Sequence, residues 1–575
     1  MEGKIAYLTL CLTALISTFG IFFFYFPIKS VPIFIVLTGF CIVLALYVIF
    51  YRLYFHDLRE LPYKQRGLLI FFSSLLAIFF LISSSGNQDY LSDNSFVIVM
   101  LTYCGSFLFI SFLIIFVTMF ALSNIANSNV QNASLKNFAV YFMMIFLAGI
   151  FYWAAFYPAA MSYDSMWSWN QVHTKEFNDW HPIMFTWLIL GLTYVWDSPA
   201  MVTIFQIVIL ALIYAYSFSQ LQKLGLNKYL LVFTCILLAF SPPFGNYTIV
   251  IWKDVLYSGC LLFFTVHLFL IVRSKGSWLI SKGNIALFIL SSFGVIFFRH
   301  NGFPVYLLTM LILFLFYWKY VFKRALPLFL CLVIFHQILT GPIFTYFNIE
   351  SSDPNEALAI PTQQIGNVIK NDGKLTEQQL EYFNSIMPIH LWKENYYPHT
   401  VDYIKFHGEY DRDVIIEDYP LYFKMWGNTV LQNPKLALEA FFNQTSLVWQ
   451  IRTPEGFSLT FFTDMSENDV GLERKPLSSF LSEKLTSYLE FSRANPILNF
   501  VWRPASYAFI IFVFAIAFFM KNGWKAGVVL LPFLLNMLSV TAALPAQDFR
   551  YLFANVLISF IFPLMALIKP NIKEE

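Results

Sequence analysis

The 575 residues predict an all-α polytopic membrane protein, with about 14 transmembrane helices plus a juxtamembrane helix and a mostly helical extracytoplasmic domain. Three observations carry that expectation. Charged side chains make up 12% of the chain and hydrophobic ones 58%, against about 25% charged in an average soluble domain. Apolar runs long enough to cross a ~30 Å hydrocarbon core, which takes about 20 helical residues, recur along most of the chain. One long polar stretch, residues 348–498, interrupts them. With 36 basic and 34 acidic side chains the net charge is +2, so no global field recruits nucleic acid, and the bilayer is the partner the composition names.

In chain order the apolar runs lie near 5–27, 31–51, 67–85, 95–122, 138–157, 200–218, 228–244, 255–272, 284–298, 302–320, 325–347, 500–519, 525–543 and 550–568. The first ends at Pro27-Ile28-Lys29-Ser30 with no small-residue cleavage pattern, as an uncleaved helix does. The run Ile183–Trp196 is shorter and either crosses or stays a juxtamembrane helix. Basic residues favour the second reading, because cytoplasmic loops carry excess Lys and Arg. If Ile183–Trp196 does not cross, one face collects Lys4, Arg52, Arg59, Lys64, Arg66, Lys136, Lys223, Lys228, Arg273, Lys275, Lys282, Lys319, Lys323, Arg324, Lys521, Lys525, Lys569 and Lys573. That face is then the cytoplasm of a multi-pass cell-membrane protein, and both termini lie on it.

The same topology sends the loop 158–182, Trp252–Asp254, Arg299–Asn301, the insert 348–498 and Asp548–Tyr551 to the outer face. Four units follow. Residues 1–130 form an accessory transmembrane bundle, 131–347 a module carrying the loop 158–182, 348–498 an extracytoplasmic helical domain, and 499–575 the C-terminal transmembrane helices. Inside the insert, Thr376-Glu-Gln-Gln379 reads as a capping box, and Asn433-Pro434 as an N-cap followed by proline at the first helical position. The six cysteines all fall inside apolar runs without C-x-x-C spacing and read as packing residues.

The polar residues that such a chain retains are the candidates for chemistry. Asp164, in the loop just past an apolar run, can act as a general base on an acceptor hydroxyl, or it can cap a short helix. Tyr163, Trp167 and Trp169 either stack on a sugar ring or mark the interfacial belt. Asp179 and His181, two residues apart, suit a metal, a substrate phosphate or each other; alternatively Asp179 is an N-cap and Pro182 opens the next helix. Two ligands do not make a metal site, so a divalent metal stays open and no other cofactor is called for.

Lys253 and Asp254, then Arg299, His300 and Asn301, then Arg550 in Asp548-Phe-Arg-Tyr551 stand at helix ends. Cations there hold a phosphate or snorkel to the interface. Gln363 and Gln364 are either acceptor-binding amides or solvated ones, and His267 and His336, within apolar runs, read as interior residues. No G-x-x-x-x-G-K-[ST] or G-x-G-x-x-G element is present, which leaves a soluble nucleotide donor without a cradle.

Ser162-Tyr-Asp-Ser165, Asp179-Trp-His-Pro182, Trp252-Lys-Asp254 and Arg299-His-Asn-Gly302, in that order and on one face, resemble the GT-C superfamily of glycosyltransferases. Protein O-mannosyltransferases and the aminoarabinose transferases of lipid A share this order of parts, and the likeness spans roughly residues 138–568. The early motif here is Tyr-Asp-Ser and lacks the adjacent Glu of many Asp-Glu members. The resemblance implies that Asp164 is the catalytic base, that Asp179 and His181 organise the loop, and that outer-face Lys and Arg contact a polyprenyl-phosphate-sugar donor. The acceptor it implies is a cell-envelope glycopolymer such as a teichoic acid or wall polysaccharide. A polysaccharide polymerase or ligase, and a transporter or flippase of lipid-linked substrates, are the competing readings. A transporter should place ionisable groups near the bilayer midplane.

Overall fold

The structure is a computed structural model that describes residues 2–27, 31–85, 94–123, 134–454, 456 and 458–570. Ile28–Ser30, the 130/131 boundary and Lys573 lie outside the described residues, as does the side chain of Lys4. Among the described residues the regular structure is helical, with isolated bridges where loops meet. Eleven helices are long and apolar enough to cross a membrane. The protein is therefore a polytopic membrane protein of the expected class.

The count differs from fourteen for three local reasons. The run 228–244 forms a helix only over Lys228–Ala239, because Ser241-Pro242-Pro243 starts a separate short helix. The run 284–298 gives Lys282–Phe297, 16 residues, or about 24 Å at 1.5 Å per residue. The runs 302–320 and 325–347 join into one helical stretch, Gly302–Tyr346, broken at Tyr317 by non-helical dihedrals. That stretch doubles back on itself. Phe303 stacks on His336 at 3.9 Å and Tyr306 meets Phe329 at 6.0 Å, contacts only an antiparallel hairpin makes. Ile183–Thr193, at 11 residues, is about 17 Å long and covers half a hydrocarbon core.

Successive helices alternate direction, so the chain has two ends. At one end, Ile451 donates to Ser83 O at the tip of Tyr63–Ser84, and Lys475 and Leu477 donate to Tyr157 O and Ala154 O at the end of Leu135–Ala155. At the other, Arg273 donates to Lys569 O and Lys521 to Ala566 O. The first four long helices pack through Ala14, Tyr47, Leu69 and Ile110 against Val513 and Ile516 of Pro504–Asn522.

The insert has its own apolar centre, in which Ile365, Phe383, Trp392, Tyr422 and Met425 are buried. The expected capping box forms: Gln379 N donates to Thr376 Oγ1 at 3.2 Å, and Thr376 N to Gln379 Oε1 at 2.8 Å. Asn433 departs from its expected role. It precedes the helix Pro434–Trp449 without capping it, and its side chain instead ties down Lys374, whose N–H it accepts at 2.7 Å and whose carbonyl it donates to at 2.8 Å. Gln363 and Gln364 are not solvated. Both are buried struts, donating to Tyr397 O and Ala437 O.

A candidate active site at one end of the helix bundle

The helix Tyr163–Thr174 starts where Ser162 N donates to Ser165 Oγ at 3.2 Å, and Ser165 Oγ in turn donates to Ile251 O at 2.8 Å. The first turn is thus pinned to the segment before Lys253, and Asp164 sits in that turn. The helix ends at Lys175, whose φ of 63° turns the chain back. Asn178 stitches the return strand to the helix: its Oδ1 accepts from Gln171 Nε2 at 3.1 Å and its N–H donates to Gln171 Oε1 at 3.1 Å. His181 is thereby delivered beside Asp164.

Short backbone bridges bring in the distant segments. Ala160 N donates to Ile249 O and Ile251 N to Ala160 O; Met161 N donates to Asp464 O; Leu459 N donates to Gln547 O and Phe549 N to Leu459 O; Asp179 N donates to Glu350 O. Segments hundreds of residues apart in the chain therefore converge on one small cavity. Asp164, Ser168, His181, Phe185, Ile251, Trp252, Lys253, Asp254 and Arg550 line it.

Arg550 is its central cation. Its Nη1 lies 2.5 Å from Asp164 Oδ2, its Nε 2.7 Å from Asp548 Oδ2, and its guanidinium stands 4.8 Å over the Trp252 ring. The Trp252 indole is itself fixed by donating to Ser162 Oγ at 2.7 Å. Asp164 Oδ1 faces His181 Nε2 at 3.8 Å, beyond hydrogen-bond reach. Lys253 Nζ contacts His181 Nδ1. An ammonium can only donate, so Nδ1 accepts and the ring proton sits on Nε2, toward Asp164.

Residues 27–575 match the model of DUF6020, described as a family of unknown function. The chain belongs to DUF6020. No curated protein and no solved structure matches the chain.

The cavity of this DUF6020 chain collects five of the nine site residues expected from sequence: Asp164, His181, Lys253, Asp254 and Arg550. The other four stand around it. Arg299 is bound behind the wall, its Nε 3.3 Å from Asp254 Oδ1, its Nη1 donating to Tyr551 O at 2.8 Å, and its guanidinium over the Tyr257 and Tyr551 rings. Asp179 and His300 pair with each other at 3.0 Å, and Asp179 Oδ1 accepts from Ile183 N at 2.9 Å, so it acts on the helix start as well. Asn301 donates to Ser539 Oγ at 2.6 Å. Gly302 lets this turn close, since a Cβ there would stand 1.7 Å from Val295 O.

Of the loop aromatics, Tyr163 and Trp167 are exposed, whereas Trp169 is buried among Met161, Phe185 and Ile251 and is a packing residue. Among the described residues no group of three or more His, Cys, Asp or Glu is placed to hold a metal.

Sequence reasoning missed Ser168, Phe185 and Ile251 as wall residues, and missed that Asp548 serves Arg550. Asp548 is two residues from Arg550 and its Oδ1 also accepts the Arg550 N–H at 3.1 Å, a local Asx-type contact that an Asp-x-Arg spacing signals.

The charges shift one another. Burial alone would raise the Asp164 carboxyl, but the charges of Arg550 and then Lys253 outweigh it and hold the group well below the usual carboxylate range. Burial, and then the Lys253 charge, push His181 well below the usual imidazole range, so the ring is neutral near pH 7. Asp548, buried beside Asp254 and Asp164, is pushed up to about 6 by burial despite its contact with Arg550.

Proposed function

We propose that this chain is a membrane glycosyltransferase of the GT-C kind, moving a sugar from a polyprenyl-phosphate donor to a cell-envelope acceptor on the outer face. One observation carries the reading: an ionised carboxylate, Asp164, shares a cavity with Arg550 and Lys253 at one end of a helix bundle. Lys253 and Arg550 stand at the starts of long apolar helices, so the charged cluster sits at a boundary and not at mid-span, which favours an enzyme over a carrier. The opposite end carries the basic clusters around Arg52–Arg66, Lys223–Lys228 and Arg273–Lys282, and by the positive-inside bias we assign it to the cytoplasm.

In the reaction we envisage, the acceptor hydroxyl oxygen attacks the anomeric carbon of the polyprenyl-phospho-sugar. The carbon–oxygen bond to phosphate breaks, and the polyprenyl phosphate leaves with the bonding pair. The hydroxyl proton passes to Asp164, and a single displacement inverts the anomeric centre. Arg550 and Lys253 balance the charge of the departing phosphate.

A carboxylate paired with arginine is a weak base, since its proton affinity is suppressed by the neighbouring charge. Donor binding answers this. A phosphate in the cavity competes for Arg550, frees Asp164 Oδ2, and adds negative charge that raises the carboxylate's proton affinity when the acceptor arrives. His181, neutral and fixed by Lys253, is set to steady Asp164 without taking the proton itself.

The test is transfer by the purified protein in proteoliposomes, supplied with a labelled polyprenyl-phospho-hexose and a wall-polymer acceptor. Label in the acceptor with matching release of polyprenyl phosphate is expected. Movement of the donor between leaflets without transfer overturns the reading in favour of a transporter.

A further inference from the structure

Arg503 stands just before the helix Pro504–Asn522 and is fully buried. Among the described residues its hydrogen bonds go to uncharged oxygens alone: Nη2 donates to Ser446 O at 2.8 Å, Nε to Gln450 O at 3.0 Å and Nη1 to Gln547 Oε1 at 3.4 Å. A cation taken out of water is costly even when such bonds replace its hydration, so its place in the fold calls for a reason. Two of the acceptors give one. Ser446 O and Gln450 O lie at the C-terminal end of Pro434–Trp449, where a cation meets the negative end of the helix dipole.

The third acceptor points elsewhere. A guanidinium can only donate, so it turns the Gln547 carbonyl toward itself and leaves Nε2 to donate to Gln444 O at 2.8 Å and Asn443 O at 3.2 Å. Gln444 answers from the helix, its Nε2 donating to Leu544 O at 2.8 Å and Pro545 O at 2.6 Å. The segment 544–547 is thereby laced to the last helix of the insert, one residue short of Asp548, whose carboxylate holds Arg550 beside Asp164. We propose that Arg503 is a positioning residue for the donor site: by holding Gln547 it sets the register of this segment against the insert, and so places the Arg550 guanidinium against Asp164 and the donor phosphate. The phosphate part rests on the glycosyl-transfer reading above; the placement of Arg550 does not. Lysine keeps the charge at the helix end but lacks the planar fork that reaches three acceptors, so Arg503→Lys separates helix capping from positioning.

Deuterium exchange of the purified full chain reads that placement without any substrate. In Arg503→Lys the hydrogen-bonded amides of 548–551 should exchange about ten-fold faster than in wild type, while Glu377–Ile386, elsewhere in the insert, should be unchanged. In the transfer assay kcat/KM for the donor should fall about ten-fold, mainly through KM, and the same substitution should cost nothing further in an Arg550→Gln background, since both act through one group. Gln547→Leu cuts the link from its other side and should reproduce both results. Wild-type exchange at 548–551 in both variants overturns the proposal. So does equal acceleration in 548–551 and Glu377–Ile386, or an equal loss of transfer with and without Arg550, the mark of a residue that only stabilises the fold. A wild-type protein that transfers no sugar overturns the glycosyl-transfer reading alone, and the exchange result then decides this one.

Discussion

Two groups of charges in this chain are built from the same residue types, and their difference separates a brace from a reaction centre. In the insert, Arg412 Nη1 lies 2.8 Å from Asp353 Oδ2, Lys405 Nζ 2.7 Å from Glu356 Oε2, and the Lys405 side chain is 1% accessible. Each of these charges has an opposite partner inside the group, and Arg412 is covered by the Trp180 and Phe406 rings. Because Trp180 belongs to the loop that delivers His181, the group braces the insert against the site. Asp164 is no more accessible than Glu356, 35% against 34%, and among the described residues each has one oxygen without a hydrogen-bond donor, but Asp164 lines a cavity together with Arg550 and Lys253. Burial of charge alone therefore does not mark a site. An incompletely satisfied carboxylate facing a cavity does.

The sharpest way to break this comparison is to neutralise the two paired members of the cavity group in turn. Asp164→Asn removes the base and should cut transfer about 10³-fold while leaving folding and gel-filtration behaviour intact. Arg550→Gln should cost about 10²-fold in kcat/KM and weaken donor binding, since the same guanidinium serves phosphate and carboxylate; unchanged donor affinity contradicts its phosphate role.

A pH profile sharpens the comparison further. Asp548, pushed up to about 6, is ionised above that pH and neutral below it, so Arg550 loses a partner as pH falls through about 6. Wild-type activity should show an acid limb there, and Asp548→Asn should abolish the limb while lowering the plateau a few-fold. Asp164, held far lower, contributes no limb in that range. The smallest catalytic effect is expected in the insert. Arg412→Ala should lower stability by about 2 kcal/mol, read as a fall in Tm, with activity per folded molecule within about two-fold of wild type.

Fold class and the identity of the cavity's charged residues were legible in the sequence because both depend on local pattern. Apolar length reveals a span, and an Asp or Arg surviving in an apolar chain invites a reason. Chain-crossing detail was less legible. The break at Pro242-Pro243 hides in a continuous hydrophobic run, whereas the hairpin at Tyr317 falls close to where the runs 302–320 and 325–347 were separated. Which cation would face Asp164 was not legible at all, because Arg299 and Arg550 both read as helix-end cations. Only tertiary placement puts Arg299 behind Asp254 and Arg550 against Asp164, through bridges such as Leu459 with Gln547 and Phe549 that carry no sequence signature. Gln363, Gln364 and Trp169 were misread for a related reason: polar amides and an indole near a surface segment turn inward when backbone carbonyls or apolar neighbours receive them.

The most direct test of the central claim separates donor binding from donor consumption in one variant. Purified Asp164→Asn, given the labelled polyprenyl-phospho-hexose with acceptor, should bind the donor at least as tightly as wild type yet release polyprenyl phosphate about 10³-fold more slowly. Release at the wild-type rate would contradict the assignment of Asp164 as the proton acceptor.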